Sequence, residues 1–389
     1  MTRRALLVVL DGVGCGEAPD SAAYGDTGSD TLGNVARAVG GLSLPNLQQL
    51  GLGNATSILG VPPAAQPVGA FGTLTPRSSG KDSTTGHWEL AGIHLQTPFP
   101  TFPHGFPAEV VAAFSRATGR GVLANCVASG TTVLEEFADA QRRTGAWIVY
   151  TSADSVFQIA AHEAWIPLEE LYQACEIARQ QLRPPNDVSR VIARPFVGTP
   201  GAWHRTANRR DYSIQPPGET LLDALAAGGI PRSGVGKVDD LFAGRSIRST
   251  HTSGNAEGIA ALRTWLSGPD DGFCFANLVD FDQLYGHRND VRGFQGALED
   301  FDRALPSLLS SLRDHDVLFI TADHGNDPTT ASTDHARERV PLVVVGKWVR
   351  GGSLGARDTF ADVGATVAEW FGLSWRGRGV SFLPQLVGA

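Results

Sequence analysis

The chain has 389 residues, of which 42% are hydrophobic, 19% charged and 8% aromatic. This balance fits a globular protein of roughly two to three domains and excludes disordered, collagen-like and disulfide-scaffold chains. The formal charge of −8, with both signs interspersed, gives no general attraction for nucleic acid or an anionic membrane, so an anionic ligand must be met by local cations.

The N-terminal run MTRRALLVVLDG has two arginines and then six apolar residues. It mimics a signal peptide, but Asp11 ends it early and no small-residue cleavage site follows. The apolar run at 5–10 predicts a buried strand. A proline-dense stretch, TPFPTFPHGFP, holds Pro98, Pro100, Pro103 and Pro107. Beyond it the pattern predicts a strand at 147–150, a helix at 168–182 and a strand at 190–193. A second break, IQPPGE, holds Pro216 and Pro217. There follow a helix at 257–265, a strand at 273–279, a helix at 293–312 and strands at 317–321 and 340–345. Strands alternating with helices predict an α/β fold with a largely parallel sheet. Prolines at this density make stiff, non-helical connectors. They are read as hinges of an inserted α/β domain at 99–215, carried by a discontinuous core of 1–98 and 216–389.

Cys15, Cys126, Cys175 and Cys274 are scattered without a C-x-x-C, which fits a reducing compartment and offers no thiolate zinc site. No stretch reaches the roughly 18 apolar residues of a membrane span. A cytoplasmic protein with no membrane or nucleic-acid partner is expected. A monomer is the default expectation for its oligomeric state. Only three of the 32 basic residues are lysines, Lys81, Lys237 and Lys347, so each surviving lysine is a weak pointer to a place that needs a compact ammonium.

The chemistry-bearing residues sit where predicted strands end. Asp11 ends the first; the strand at 273–279 runs into DFDQLYGHR, with Asp282 and His287; the strand at 317–321 runs into ADHGND, with Asp323 and His324. His335 follows in TDHARE. Ligands of open α/β sheets bind outside the carboxyl ends of the strands. Singly, each residue has an ordinary reading as a cap, a turn former or a hydrogen-bonded loop histidine. Together, three carboxylates and three imidazoles fit two divalent ions held by oxygen and nitrogen, and the nearby Asp280 and Asp334 favour manganese over zinc. In SSGKDSTTGHWE, a turn leads through three hydroxyls into a predicted helix. A hydroxyl there suits a nucleophile activated by bound cations, and the local pattern leaves Ser83, Thr84 and Thr85 all open.

The chain resembles the phosphopentomutases, metalloenzymes of the alkaline phosphatase superfamily. The resemblance spans the sequence through LDGVGCGEAPD, GSDTLGN, LPNLQQLGLGN, GKDSTTGHWE, YTSADSVFQIAAHE, RVIARPFVG, NLVDFDQLYGHR, TADHGNDP, TDHARE and TFADVGATVAE. It implies an alkaline-phosphatase-like core, one metal on Asp282, His287 and His335, and a second on Asp11, Asp323 and His324. It implies manganese as the usual metal and Ser83 as the nucleophile. Two positions depart from the family: GKDS where GKDT is common, and Ala336 where threonine often follows the histidine.

The same resemblance places sugar and distal-phosphate recognition on TSADSV, SRVIARP, HRTANRR and GVGK. The candidates are therefore Ser152, Asp154, Arg190, Arg205 and Lys237, with Arg194 and Arg209 as near competitors. The implied activity is interconversion of ribose 1-phosphate, and 2-deoxyribose 1-phosphate, with the 5-phosphate through a phosphoserine, primed by a sugar bisphosphate. The alternative on the same core is a metal-dependent phosphohydrolase. Cofactor-independent phosphoglycerate mutase shares the metal logic but has a different nucleophile loop, and a silent metal-binding protein would have no use for the hydroxyl.

Overall fold

The run Arg4–Leu10 is buried along its whole length, as an unbroken apolar pattern requires of a strand covered on both faces. Around it the computed structural model, which describes residues 3–152, 154–269 and 271–387, builds an eight-stranded sheet. In spatial order its strands are Ser249–Thr250, Arg232–Val235, Gly272–Leu278, Arg4–Leu10, Asp316–Thr321, Val340–Val345, Ala70–Leu74 and Gly352–Arg357. Neighbours pair in parallel except at Val340–Val345, which runs against both Asp316–Thr321 and Ala70–Leu74. The sheet is thus parallel with one reversed strand, and the α/β class predicted from the alternating pattern is the one observed.

Register decides where the chemistry goes. Leu10 lies opposite Leu278, and Val9 opposite Thr321, so the three central strands end level and release Asp11, Asp282 and Asp323 from one edge. At the other end the buried Arg4 guanidinium is fully engaged. Its Nε lies 3.1 and 3.0 Å from the two Asp316 oxygens, and Nη1 donates to the Leu266 carbonyl at 2.7 Å. Pairing both charges and filling their remaining hydrogen bonds is what makes such burial tolerable. The Asn255–Ser267 helix lies against the Gly272–Leu278 strand, and the Val291–Leu309 helix lies against Asn255–Ser267.

The chain divides into two compact units, one of Met1–Thr97 with Pro216–Ala389, the other Pro98–Gln215. The second has its own six-stranded sheet: Val122–Val127, Trp147–Thr151, Val156–His162, Arg190–Val197 and His204–Arg205 in order, with Arg210–Ser213 also paired to Arg190–Val197. Alternation along Trp147–Thr151 separates two cores. Trp147 and Val149 join Phe114, Phe157 and Leu171 on one face. Ile148 and Tyr150 join Val133, Leu134 and Phe196 on the other. Period-two side-chain direction therefore gives a sheet with helices on both faces. The strand predicted at 190–193 runs on through Pro195, whose carbonyl still accepts from Thr206 N at 3.1 Å. Among the described residues no helix is long and apolar enough to cross a membrane.

Candidate metal centre

A glycine turn aims the first carboxylate. Gly12 has φ +77°, and a Cβ there would stand 3.0 Å from Asn326 Cβ and 3.3 Å from Asp282 Cβ, so the chain turns where side chains from three segments meet. Its N–H donates to Asp323 Oδ1 at 3.2 Å. Asp282 and His287 sit on two successive short helical turns, Phe281–Tyr285 and Gly286–Arg288. His335 lies in the loop leading to Val340–Val345.

The six sequence-identified side chains converge here. Ligand atoms of Asp282, His287 and His335 lie within 4.8 Å of one another, and so do those of Asp11, Asp282 and His324. Asp282 thus belongs to both groups; within the first, its Oδ2 is 3.1 Å from His287 Nε2 and its Oδ1 3.4 Å from His335 Nε2. His324 Nε2 is 3.3 Å from Asp11 Oδ1 and 3.4 Å from Asp323 Oδ2. Two imidazoles are anchored from behind by backbone carbonyls, His324 Nδ1 by Gly325 O at 3.0 Å and His287 Nδ1 by Thr333 O at 2.6 Å. An Nδ1–H given to a carbonyl leaves Nε2 with its lone pair for a cation.

The donor set fits divalent ions. Asp11, Asp282 and Asp323 are all buried, and three carboxylates at this spacing carry charge that low-dielectric surroundings disfavour without counter-cations. The buried His335 Nε2 and Asp323 Oδ2 have no aligned hydrogen-bond partner among the described residues, as unspent metal ligands would. Burial, with the Asp323 and Asp282 carboxylates, raises Asp11 from its ordinary value. At Asp282 burial is outweighed by the His335 and His287 imidazoles, which hold the carboxyl well below the usual range. Burial at His324 is likewise outweighed by Asp323 and Asp11, which hold the imidazolium well above its usual range.

A cation entering beside His324 has to displace that proton. Loading is therefore expected to release protons, with affinity rising about tenfold per pH unit for each proton displaced, up to the raised imidazolium value. Calorimetric titration with a divalent cation across about pH 6 to 8, in buffers of different ionisation enthalpy, measures this. A pH-independent affinity contradicts it.

Of the three hydroxyls, the Ser83–Leu90 helix brings that of Ser83 to the Asp11 carboxylate and the His324 imidazole. Asp82 caps it, accepting from Thr85 N at 3.1 Å and taking the Thr85 hydroxyl at 2.5 Å. Ser83 is left half-buried, with Oγ 3.1 Å from His324 Nε2 and 3.5 Å from Asp11 Oδ1. Gly86 makes this approach possible, since a Cβ there would meet the Asp323 carbonyl oxygen at 2.1 Å. Sequence reasoning missed His87 on the same helix. Fully buried and stacked on Phe275, it places Nδ1 3.1 Å from Asp323 Oδ2 and 2.9 Å from the Ser83 carbonyl. Its signal was the single turn separating it from Ser83. Ala336 is buried and pairs through its backbone with Gly325.

In the second unit, Ser152, Asp154, Arg190 and Arg205 line one cavity of about 190 Å³ together with Arg194, Arg209, Tyr150 and Gln158. Arg190 lies 4.0 Å from Asp154 and 3.5 Å from Asp211. Arg209 holds Asp211 at 2.6 Å, and Arg194 Nε donates to Gln158 Oε1 at 3.0 Å. Burial and the neighbouring Arg209 lower Arg194 to about 10, still charged at neutral pH. The cavity is therefore strongly cationic and suits a phosphate dianion. Lys237 belongs to the other unit, where its ammonium donates to Gln283 Oε1.

A family model described as the metalloenzyme superfamily matches residues 3–375. A protein of Anaeromyxobacter dehalogenans named phosphopentomutase is 56% identical over 388 residues, covering 99% of this chain and 100% of the relative. One of the same name from Desulfitobacterium hafniense is 53% identical over 387 residues, with 99% and 100% covered. The solved phosphoglycerate mutase of Leishmania mexicana, studied at low cobalt concentration, covers 98% of this chain and 97% of its own at a TM-score of 0.50. At 11% identity that likeness shows a shared fold. Full-length identity to named relatives, on a core that gathers carboxylates and imidazoles at the level ends of its central strands, places the chain in the phosphopentomutase family of isomerases within the metalloenzyme superfamily.

Proposed function

We propose that the chain interconverts α-D-ribose 1-phosphate and ribose 5-phosphate, and the 2-deoxyribose pair, through a phosphoserine at Ser83. The observation that carries this reading is the place of Ser83 Oγ at the start of its helix, within 3.5 Å of both Asp11 and His324. In this reading Asp282, His287 and His335 hold one cation, and Asp11, Asp323 and His324 hold the other, with the Asp282 carboxylate also within reach of the second. Manganese suits a donor set of carboxylate and imidazole alone. When bound, such ions favour the serine alkoxide and offset charge on the transferring phosphoryl oxygens.

The chain's own residues then shuttle one phosphoryl group. The Ser83 Oγ–P bond breaks as a hydroxyl oxygen of the bound monophosphate takes the phosphoryl group, and that hydroxyl's proton passes to Ser83 Oγ, restoring the serine hydroxyl. The resulting bisphosphate then loses its other phosphoryl group to Ser83 Oγ while the serine proton passes to the departing sugar oxygen, which restores the phosphoserine and leaves the isomer. A trace of sugar bisphosphate primes the serine by the same second half-reaction. Asp11 and His324, fixed from behind, hold the reacting oxygen in place. In the inserted unit, acting as a substrate-recognition cap, Arg190 and Arg205 with Arg194 and Arg209 meet the non-reacting phosphate, and Ser152 and Asp154 meet sugar hydroxyls. Water has to be kept from the phosphoserine, since its hydrolysis is the competing loss. The reading places this chemistry in the cytoplasm, on free pentose phosphates.

Turnover of ribose 1-phosphate with manganese and a trace of bisphosphate, followed by phosphorus NMR, tests it. Ribose 5-phosphate is the expected product. Free phosphate as the main product would make the chain a metal-dependent phosphohydrolase and overturn the role given to the inserted unit.

A further inference from the structure

Two fully buried amides lie at the metal centre, and each is satisfied on one side alone. Asn277 is the penultimate residue of the Gly272–Leu278 strand and 2% exposed. Its Nδ2 donates to Asp11 Oδ2 at 3.0 Å. Asn326, two residues beyond His324 and 0% exposed, donates from Nδ2 to Asp282 Oδ1 at 2.6 Å. In both, the amide oxygen is buried without a hydrogen-bond partner among the described residues. A carboxylate only accepts, so the NH2 end must face it and the carbonyl must face away. A buried amide with an unpaired oxygen is less favourable than leucine, which has nearly the same size and nothing to satisfy. Both positions accept the same deficit for a charge-assisted bond to a carboxylate.

The bonds select which oxygen each carboxylate shows. With Oδ2 of Asp11 engaged by Asn277, Oδ1 is the oxygen turned to His324 Nε2 and Ser83 Oγ. With Oδ1 of Asp282 engaged by Asn326 at 2.6 Å, Oδ2 is turned to His287 Nε2 at 3.1 Å, while Oδ1 also lies 3.4 Å from His335 Nε2. Asn326 is itself held by its backbone N–H, which donates to Gly12 O at 2.8 Å and to Thr31 Oγ1 at 3.2 Å. That ties the turn after Asp11 to the loop after His324. The geometry points to Asn277 and Asn326 as positioning residues of the metal centre, each holding one oxygen of a buried carboxylate and so fixing how that carboxylate is turned towards a cation. The assignment rests on the two-metal reading above.

Asn277→Leu and Asn326→Leu separate positioning from packing, through two readouts on metal-stripped protein: the thermal midpoint, and Mn2+ affinity and stoichiometry by calorimetry. The midpoint should change little, because removing the unsatisfied carbonyl offsets the donor lost to the carboxylate. Mn2+ affinity should fall roughly 10–100-fold. Asn277→Leu should weaken one of the two ions and Asn326→Leu both, since Asp282 belongs to both groups. Unchanged affinity in a folded variant, or a fall that only tracks a lowered midpoint, overturns the assignment. Should a leucine variant fail to fold, Asn→Ser, too short to reach the carboxylate, is expected to show the same fall, and unchanged affinity there is equally fatal. Wild-type protein that takes up no Mn2+ refutes the two-metal reading itself, a result distinct from variants that bind as well as wild type.

Discussion

Ser83→Ala is expected to abolish turnover, by roughly 10⁴-fold or more, because no other group can carry the phosphoryl group between half-reactions. Removing one hydroxyl from the first position of a helix leaves the Asp82 cap, which is made to Thr85, intact. The fold and cation uptake should therefore survive. Two measurements belong together: phosphorus NMR of turnover, and covalent labelling by a radiolabelled sugar bisphosphate. Activity lost with labelling lost fits the phosphoserine. Activity near the wild-type level in the alanine variant refutes it. Ser83→Thr keeps the hydroxyl and adds a methyl that restricts χ1, so turnover should stay within about tenfold of wild type. Thr84 and Thr85 offer no replacement: Thr84 is buried, and Thr85 has its hydroxyl on Asp82.

What was legible in the sequence follows from how each residue works. Arg4–Leu10, Gly272–Leu278 and Asp316–Thr321 announce themselves because a central parallel strand is apolar on both faces. Residues that follow such strands share one edge, so the convergence of Asp11, Asp282, Asp323 and His324 could be read from spacing. Gly352–Arg357 could not. Its sequence, GSLGAR, is glycine-rich, lies at the sheet edge and carries a register shift between Ser353 and Gly355, so its pairing owes nothing to an apolar pattern. Val122–Val127 is likewise an edge strand whose side chains are only partly covered. Choice among the three hydroxyls was closed to the local pattern, and rested on the family resemblance alone, because it depends on helix phase: one residue of rotation separates Ser83, facing Asp11, from a buried Thr84. His87, Asn277 and Asn326 escaped for a related reason. Each acts on a residue far away in the chain, and nothing local marks a histidine or asparagine as the partner of a distant carboxylate.

Asp282→Asn should have the other large effect, because this carboxylate alone belongs to both groups of candidate ligands. Asparagine keeps the shape and removes the charge, and its NH2 would confront either the Asn326 amide or an imidazole Nε2. Both cations should be lost. Affinity should fall by more than roughly 100-fold, the upper end of what losing an outer hydrogen-bond partner costs, and turnover should fall at least as far. His287→Ala supplies the contrast. His287 belongs to one group only, is partly exposed and is held by the Thr333 carbonyl, so one cation should be lost and the other kept. Metal content after dialysis against dilute Mn2+, measured by elemental analysis, reads the difference directly. Loss of both ions in Asp282→Asn against one in His287→Ala supports a shared carboxylate between two sites. Equal losses in the two variants would mean that the groups do not share Asp282, and that Asp323, 3.4 Å from His324 Nε2, completes the second site without it.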